Sequence, residues 1–204
     1  MEKVIITIGR QFGGKGREIG KKVSEALNIP YYDKELLAVA AKKSGLSAQF
    51  LDSYDEKRSS SLLYSLAMGH AGVVLTDHGT TSVENLAMQA QRDAVIHVAD
   101  EGSCVIVGRS ADYILRDRKE LVRVFICADK ADRVKRIAER ENIPENKAAE
   151  RVRKMDRARS SYYNYNTDQT WGAAESYDLC INVSRCGVDN AVQQILNFVK
   201  ALED

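Results

Sequence analysis

The chain has 204 residues, 44% of them hydrophobic, which is enough for one sizeable core. Thirty basic residues nearly balance 29 acidic ones, so no overall field would draw the molecule onto nucleic acid or an anionic membrane. No apolar run approaches the roughly 20 residues of a membrane span, and the N-terminus lacks a secretion signal. We therefore expect one cytoplasmic domain over residues 1–204 that binds neither nucleic acid nor a membrane.

The first predicted unit is a strand followed by a helix. Residues 4–8 form a β-branched run, and residues 17–27 have apolar side chains at helical spacing. A second short strand is predicted at residues 29–33, with a helix at 34–43 behind it. The looser pattern of residues 46–81 predicts a helical insertion.

Strands and helices alternate through the rest of the chain. Predicted strands cover residues 104–108, 122–128 and 178–183, and predicted helices cover 82–97, 111–115, 130–141, 144–159 and 188–202. Apolar strands separated by helices predict a five-stranded parallel sheet with helices on both faces. In such sheets ligands bind beyond the carboxyl ends of the strands.

The cysteines and histidines predict packing rather than metal binding. Cys104, Cys127 and Cys180 fall in apolar runs and are expected to be reduced core residues, and Cys186 is the fourth. His97 is expected in the core on the apolar face of its helix, because the histidines lack metal-ligand spacing.

A phosphate-binding motif lies between the first strand and the first helix. Residues 9–17 read GRQFGGKGR and match GxxxxGK. In this motif glycines let backbone N–H groups converge on a phosphate, and a lysine adds a mobile charge. The expected phosphate-binding residues are Gly9, Gly13, Gly14, Lys15, Gly16 and Arg17. The alternative is a Gly-rich turn that only closes the fold.

The hydroxyl that usually follows the lysine is missing. Gly16 stands in its place and Arg17 follows, so the side chain that would hold Mg²⁺ is absent from this loop. The ion would be held through water, through a carboxylate such as Asp33, or more weakly than usual. The sequence leaves these alternatives open.

Three segments carry a family resemblance: ITIGRQFGGKGREIGKKVSEALNIPYYDKELL, CVIVGRSADYIL and MDRARSSYYNYNTDQTWGAAESYDLCINVS. Together they resemble the cytidylate kinase-like family, a branch of the P-loop nucleoside monophosphate kinases. The resemblance implies a P-loop NTP hydrolase-type fold with an acceptor-binding insertion at about residues 46–81 and an Arg-bearing lid at about 133–171. It also implies transfer of the γ-phosphoryl group of ATP, with Mg²⁺, to a small acceptor such as CMP or dCMP.

The acceptor side is predicted at the end of the third strand. The run from Gly108 to Asp112 is similar to a Gly-Arg-Asp signature of cytidylate kinases, which implies that Arg109 grips the acceptor phosphate and Asp112 reads the base. A guanidinium there can make bidentate contacts with phosphate, but an Arg109–Asp112 pair that caps the next helix is the alternative. Asp33 is expected near the transferred group, or as the cap of the helix that follows it.

The lid is predicted from its arginines. Arg133, Arg136 and Arg140 recur on one side of a helix. Residues 156–159, DRAR, resemble the lid signature of the family, which implies that Arg159, and after it Arg157, neutralises the transferring phosphoryl group. With Lys15 these two are the expected catalytic residues, although most arginines on charged helices are only solvated or paired.

Two other functions stay open at this stage. One is a P-loop kinase with a non-nucleotide small-molecule acceptor, and the other is a nucleotide-binding regulatory module without turnover, which the missing hydroxyl favours. The apolar stretch at residues 62–75 packs either on the core or on a second subunit, so a homodimer is also an expectation.

Overall fold

The computed structural model describes residues 3–33 and 83–202, without side chains for residues 83–87. The predicted helix at 34–43, the insertion at 46–81, the apolar stretch within it and the capping residue Ser82 lie outside the described residues. The central architecture and most of the predicted site fall inside them.

Five strands form one parallel sheet in the order β2-β3-β1-β4-β5. Strand β1 is central because it pairs with β3 on one side and with β4 on the other. The carboxyl end of β1 therefore lies in the middle of the ligand-binding edge. The strands are β1 Ile5–Arg10, β2 Tyr31–Tyr32, β3 Cys104–Val107, β4 Leu121–Cys127 and β5 Leu179–Asn182. The predicted five-stranded parallel sheet is confirmed.

Helices connect the strands and cover both sheet faces. Side chains alternate along β1, so that Ile6 and Ile8 join one apolar cluster with the first and last helices while Ile5 joins another with the helices around β3. The helices are α1 Gly16–Leu27, α2 Val83–Glu101, α3 Ala111–Ile114, α4 Lys130–Glu141, α5 Glu145–Asn166 and α6 Val183–Ala201, with a 3₁₀ turn at Ala174–Ser176. Within the described ranges, no helix has the length and apolarity needed to cross a membrane.

Two helices differ from the prediction. Helix α5 continues seven residues beyond 159, because Tyr163 packs inward at 4% exposure and the Thr167 hydroxyl donates to the Tyr163 carbonyl at 2.8 Å. Helix α6 begins at Val183 and is interrupted at Gly187, whose φ of 78° is not helical. The segment after this kink matches the predicted closing helix.

Two packing predictions were wrong. Cys180 is exposed, because β5 is an edge strand on which Ile181, and not Cys180, faces the core. His97 lies beside the buried stripe of α2 rather than in it, and its Nε2 lies 3.2 Å from Glu101 Oε1. Cys104 is buried, Cys127 and Cys186 are half-buried, and all four cysteines are free thiols.

Candidate active site

The predicted phosphate loop lies at the carboxyl end of β1. Its backbone has positive φ at Gly13 and Lys15 but not at Gly14, an alternation of the kind that makes anion-binding concavities. A hydrogen bond from Gln11 N to Ile126 O attaches the loop to β4, and one from Gly14 N to Gln11 O closes a turn within it. Helix α1 starts directly afterwards, so its first unpaired N–H groups point out of the same edge.

Lys15 does not point into the cleft described below. Its Nζ lies 3.3 Å from Glu18 Oε2 on the exposed start of α1. Its φ of 63° is left-handed, a conformation that costs a lysine roughly 1–2 kcal/mol and that glycine adopts freely. The predicted catalytic role of Lys15 stays a prediction.

A second strained segment follows β3. Gly108, Arg109 and Ser110 all have positive φ, at 79°, 62° and 49°. Consecutive left-handed residues that are not glycine are uncommon and cluster at functional sites. The turn buries Arg109 to 8% exposure and places it beside the end of β1.

Four guanidinium groups converge on the cleft between these two strand ends. Arg10 comes from β1, Arg17 from α1, Arg109 from the turn after β3 and Arg159 from α5. Glycine and aromatic residues complete the wall: Gly9, Gly108, Tyr162, Tyr163, Trp171 and Tyr177. This concentration of positive charge suits a ligand with several phosphate oxygens. We call this space the arginine cleft.

The carboxylate of Asp33 neutralises part of that positive charge. It is 6% exposed, and its Oδ2 lies 2.6 Å from Arg17 Nε while its Oδ1 lies 3.7 Å from Arg10 Nη2. The carboxylate therefore positions two of the four cleft arginines. Its expected place near the transferred group stays a prediction, and the helix that it would cap lies outside the described residues.

Asp112 lies in the wall of the arginine cleft at 6% exposure. Burial raises its pKa, and the hydrogen bond from the Tyr163 hydroxyl, at 2.7 Å, opposes that rise only in part. The same hydroxyl lies 2.8 Å from Gln169 Oε1. The Tyr163 hydroxyl therefore lies between the Asp112 carboxyl group and the Gln169 amide, and its single proton can be donated to one of them at a time.

The α4–α5 hairpin is hydrogen-bonded to the phosphate loop. Asp156 accepts from Phe12 N at 2.7 Å and pairs with Arg133, which also donates to the Phe12 carbonyl. Arg136 donates to the Gly13 carbonyl at 3.1 Å. These lid arginines therefore hold the loop backbone and do not face the arginine cleft.

Of the two arginines predicted for the lid signature, only Arg159 reaches the arginine cleft. Its Nη1 donates to the Arg10 carbonyl at 3.1 Å. Arg157 is exposed and is absent from the cleft wall as far as the structure describes it. The role predicted for Arg157 stays a prediction.

Sequence reasoning did not single out Arg10. It stands inside the phosphate motif as the residue after Gly9, and its side chain fills the space between β1, β3 and α1. A Cβ on Gly108 would lie 1.8 Å from Arg10 Nη1, and a Cβ on Gly16 would lie 2.6 Å from Arg10 Cβ. The signal was a charged residue at the end of a buried central strand, where a functional role is the usual reason.

A second cleft lies on the other side of Arg109. It has apolar walls from Met88 and Ile114, and aromatic walls from Tyr113 and Tyr162. Gln91 is 4% exposed there; its Oε1 accepts from the Tyr162 hydroxyl, while its Nε2 has no hydrogen-bond partner in the described part of the chain. A buried donor without a partner is costly unless a ligand satisfies it.

The family follows from a comparison of the whole sequence. A model of the cytidylate kinase-like family matches residues 5–185. The chain belongs to this family. The matched range includes the phosphate loop, the turn after β3 and the lid signature. A search of curated proteins finds no significant match.

Solved structures extend the comparison to the fold. An uncharacterized protein from Eubacterium ventriosum ATCC 27560 is 29% identical with a TM-score of 0.72, over 97% of this chain and 99% of that one. A shikimate kinase from Bacteroides thetaiotaomicron is 13% identical with a TM-score of 0.56, over 97% and 98% of the two chains. A shikimate kinase from Acinetobacter baumannii, in complex with shikimate, is 12% identical with a TM-score of 0.53, over 98% and 94%. The fold is that of P-loop kinases, and family membership supports a kinase.

The residues present do not fit the usual Mg²⁺ site of a P-loop kinase. Gly16 has no hydroxyl, and Asp33 is already paired with two arginines. Across residues 3–33 and 83–202, no group of three or more His, Cys, Asp or Glu side chains is placed to hold a metal ion. The chemistry proposed for this site therefore rests on the residues of this chain alone.

Proposed function

We propose that this protein transfers the γ-phosphoryl group of ATP to a nucleoside monophosphate, most specifically CMP or dCMP. The observation that carries the proposal is the convergence of four arginines on one cleft at the ends of β1 and β3. Phosphoryl transfer to a nucleoside monophosphate requires two phosphate-bearing substrates to be held end to end while negative charge is neutralised. Family membership supports the same class of reaction.

The donor is assigned to the phosphate loop. The turn through Gly13, Gly14 and Gly16 and the first N–H groups of α1 would hold the β- and γ-phosphates, with Arg17 beside them. Lys15 would join them after leaving Glu18, since its exposed side chain is long enough to turn. P-loop kinases use ATP with Mg²⁺, which here would arrive with the nucleotide.

The acceptor is assigned to Arg109 and the second cleft. Arg109 lines both clefts, so it can bind an acceptor phosphate between them while the remainder of the acceptor enters the second one. Tyr113 and Tyr162 offer aromatic surfaces to a base, and the amide of Gln91 offers a donor to a ring oxygen or nitrogen. These features support a nucleoside monophosphate as acceptor.

The transferring group is assigned to Arg159. Its Nη1 donates to the carbonyl of Arg10, beside the phosphate loop, and it lines the same cleft as Arg109, which supports this role. Arginine in this position neutralises charge that develops on the phosphoryl oxygens and requires no covalent intermediate. The acceptor phosphate, with a second pKa of about 6, is largely deprotonated at neutral pH. Its oxygen forms a phosphoanhydride bond to the γ-phosphorus as the bond to the β-phosphate oxygen breaks, and ADP leaves.

A coupled ADP-release assay tests the proposal. Purified protein would be given ATP and Mg²⁺ with CMP, dCMP, UMP, AMP or shikimate as acceptor. We expect turnover with CMP or dCMP, a loss in kcat of about 10²–10³ in Arg159→Ala, and a rise in acceptor KM of about tenfold or more in Arg109→Ala. Lys154→Ala, an exposed charge on the same helix as Arg159, is the matched control.

The other outcomes separate the competing functions. Turnover with shikimate and none with nucleotides would replace the acceptor and keep the kinase. Binding of ATP without ADP release for any acceptor would contradict the kinase and favour a nucleotide-binding module.

A further inference from the structure

We propose that arginine side chains occupy the place of the metal-binding hydroxyl in this phosphate loop, so that the arginine cleft binds a nucleoside triphosphate with an affinity nearly independent of Mg²⁺. The inference rests on the proposed nucleotide donor, and it concerns how that donor is held. Its test below separates a failure of the inference from a failure of the proposed function.

The loop has no room for the hydroxyl side chain. The residue after the P-loop lysine usually carries it, and that residue is Gly16. A Cβ built on Gly16 would lie 2.6 Å from Arg10 Cβ and 3.0 Å from Arg10 Cγ. A serine or threonine cannot be accommodated until the stem of Arg10 moves. The space in front of α1 is therefore taken by an arginine stem.

The carboxylate of Asp33 is already paired with arginines. Asp33 is buried, and two guanidinium groups share it: Arg17 Nε at 2.6 Å and Arg10 Nη2 at 3.7 Å. A divalent cation that approached Asp33 would meet two positive charges within a few ångströms, which is unfavourable in a partly buried site. The carboxylate thus positions arginines instead of binding a metal.

Arg17 keeps donors for a phosphate while it holds Asp33. Its Nε contacts the carboxylate at 2.6 Å, and a guanidinium carries four further N–H donors on its two Nη atoms. The side chain is half-exposed and belongs to the wall of the arginine cleft. Bidentate contacts with phosphate oxygens therefore require no rearrangement of the Arg17–Asp33 pair.

The total charge of the site suits a ligand without a metal. Arg10, Arg17 and Arg159 line the arginine cleft together with Arg109, which is assigned to the acceptor phosphate, and Asp33 offsets part of the charge of Arg10 and Arg17. A nucleoside triphosphate brings roughly four negative charges, which in P-loop kinases are shared between the lysine and Mg²⁺. In this chain the guanidinium groups supply the neutralisation that the ion supplies elsewhere.

Binding of ATP in the absence of acceptor tests the inference. Its Kd would be measured by titration calorimetry in excess MgCl₂ and again in EDTA, with the fluorescence of Trp171 as a second readout, because this single tryptophan lines the arginine cleft. We expect the two Kd values to agree within about tenfold, which is 1.4 kcal/mol. A tightening by Mg²⁺ of tenfold or more overturns the inference.

A variant that supplies a hydroxyl at the neighbouring position gives a second test. Arg17→Thr removes one cleft cation, leaves Asp33 with a single arginine partner and adds a metal-binding oxygen next to Gly16. We expect this variant to bind ATP more than about tenfold more weakly in EDTA and to regain affinity with Mg²⁺. Lys21→Ala, which removes an exposed charge from the same helix, should bind like the wild type in both buffers.

The outcomes distinguish the two proposals. ATP binding that requires Mg²⁺ overturns the metal-independent site and leaves the kinase intact. Absence of ATP binding in both buffers overturns the proposed function together with this inference.

Discussion

At the scale of a single residue, the burial of Asp112 makes the stability of the protein depend on pH. Its carboxyl group is 6% exposed, so its charged form is poorly solvated. Burial raises its pKa above the ordinary value of 3.8. The folded protein then binds this proton more tightly than the unfolded chain does. Stability from this group is present at low pH and is lost as the pH rises through the folded pKa.

Asp112→Asn should therefore gain stability relative to the wild type as the pH rises from about 4 to about 7. The amide keeps an acceptor for the Tyr163 hydroxyl but has no charge to desolvate. The free energy of unfolding would be measured by urea denaturation at a series of pH values. Asp117→Asn, at an exposed position of the same segment, is the control. A wild-type-to-variant difference that is constant with pH would contradict the prediction.

At the scale of elements, the arginine cleft depends on how closely β1 and β3 approach at their carboxyl ends. Arg10 leaves β1 and crosses the turn after β3, and Gly108 is the residue it crosses. No side chain fits at Gly108 without displacing the guanidinium. The glycine is required by a close approach as well as by its φ of 79°.

Gly108→Ala and Gly187→Ala form a matched pair for this contact. Their φ values are 79° and 78°, but an added Cβ would meet Arg10 Nη1 at 1.8 Å in the first and nothing within 4 Å in the second. Both should lose roughly 1–3 kcal/mol to backbone strain, because positive φ disfavours a side chain at either position and Gly187 has a ψ of 170°. Gly108→Ala should lose a further 1–3 kcal/mol or so to the collision. Urea unfolding measures both losses.

Combining Gly108→Ala with Arg10→Ala isolates the collision. If the added methyl acts through Arg10, the double variant should lose less stability than the sum of the two single variants. ATP affinity should fall in Gly108→Ala and stay near the wild-type value in Gly187→Ala. Equal losses of stability in the matched pair would show that strain alone is responsible.

At the scale of the whole molecule, the phosphate loop and the α4–α5 hairpin are stabilised together. Phe12 packs against the hairpin core around Ile137 and Val152, and the Arg159 guanidinium lies 5.4 Å from its ring centre. Asp156 joins the same contact through the Phe12 amide and through Arg133. The loop is therefore ordered by a segment more than a hundred residues away in sequence.

Asp156→Ala tests this coupling. The change leaves Arg133, 7% exposed, without the charge that compensates it, and leaves the Phe12 amide without its acceptor. We expect a loss of about 3 kcal/mol in the free energy of unfolding, measured by urea denaturation, and a weaker affinity for ATP. Asp168→Ala, at an exposed position after α5, is the control. Unchanged stability would mean that the hairpin does not support the loop.

The sequence predicted the sheet and its helices because strand interiors were uninterrupted apolar runs and the glycines marked their ends. It missed the last seven residues of α5, since the run from Ser160 to Asn166 has no apolar periodicity and its helical state depends on Tyr163 packing beside Asp112. It also placed Cys180 in the core, because an apolar run does not reveal which strand lies at the edge of a sheet.

The sequence by itself determined the parallel sheet and the phosphate motif, because both depend on local spacing, and its resemblance over three long segments indicated the family. Only the tertiary structure decided which cations share the cleft. Lys15 is turned away toward Glu18, Arg133 and Arg136 hold the loop, and Arg10 enters through the space left by two glycines. These placements depend on contacts between residues distant in sequence, and a local pattern contains no information about which of several arginines such contacts will bury.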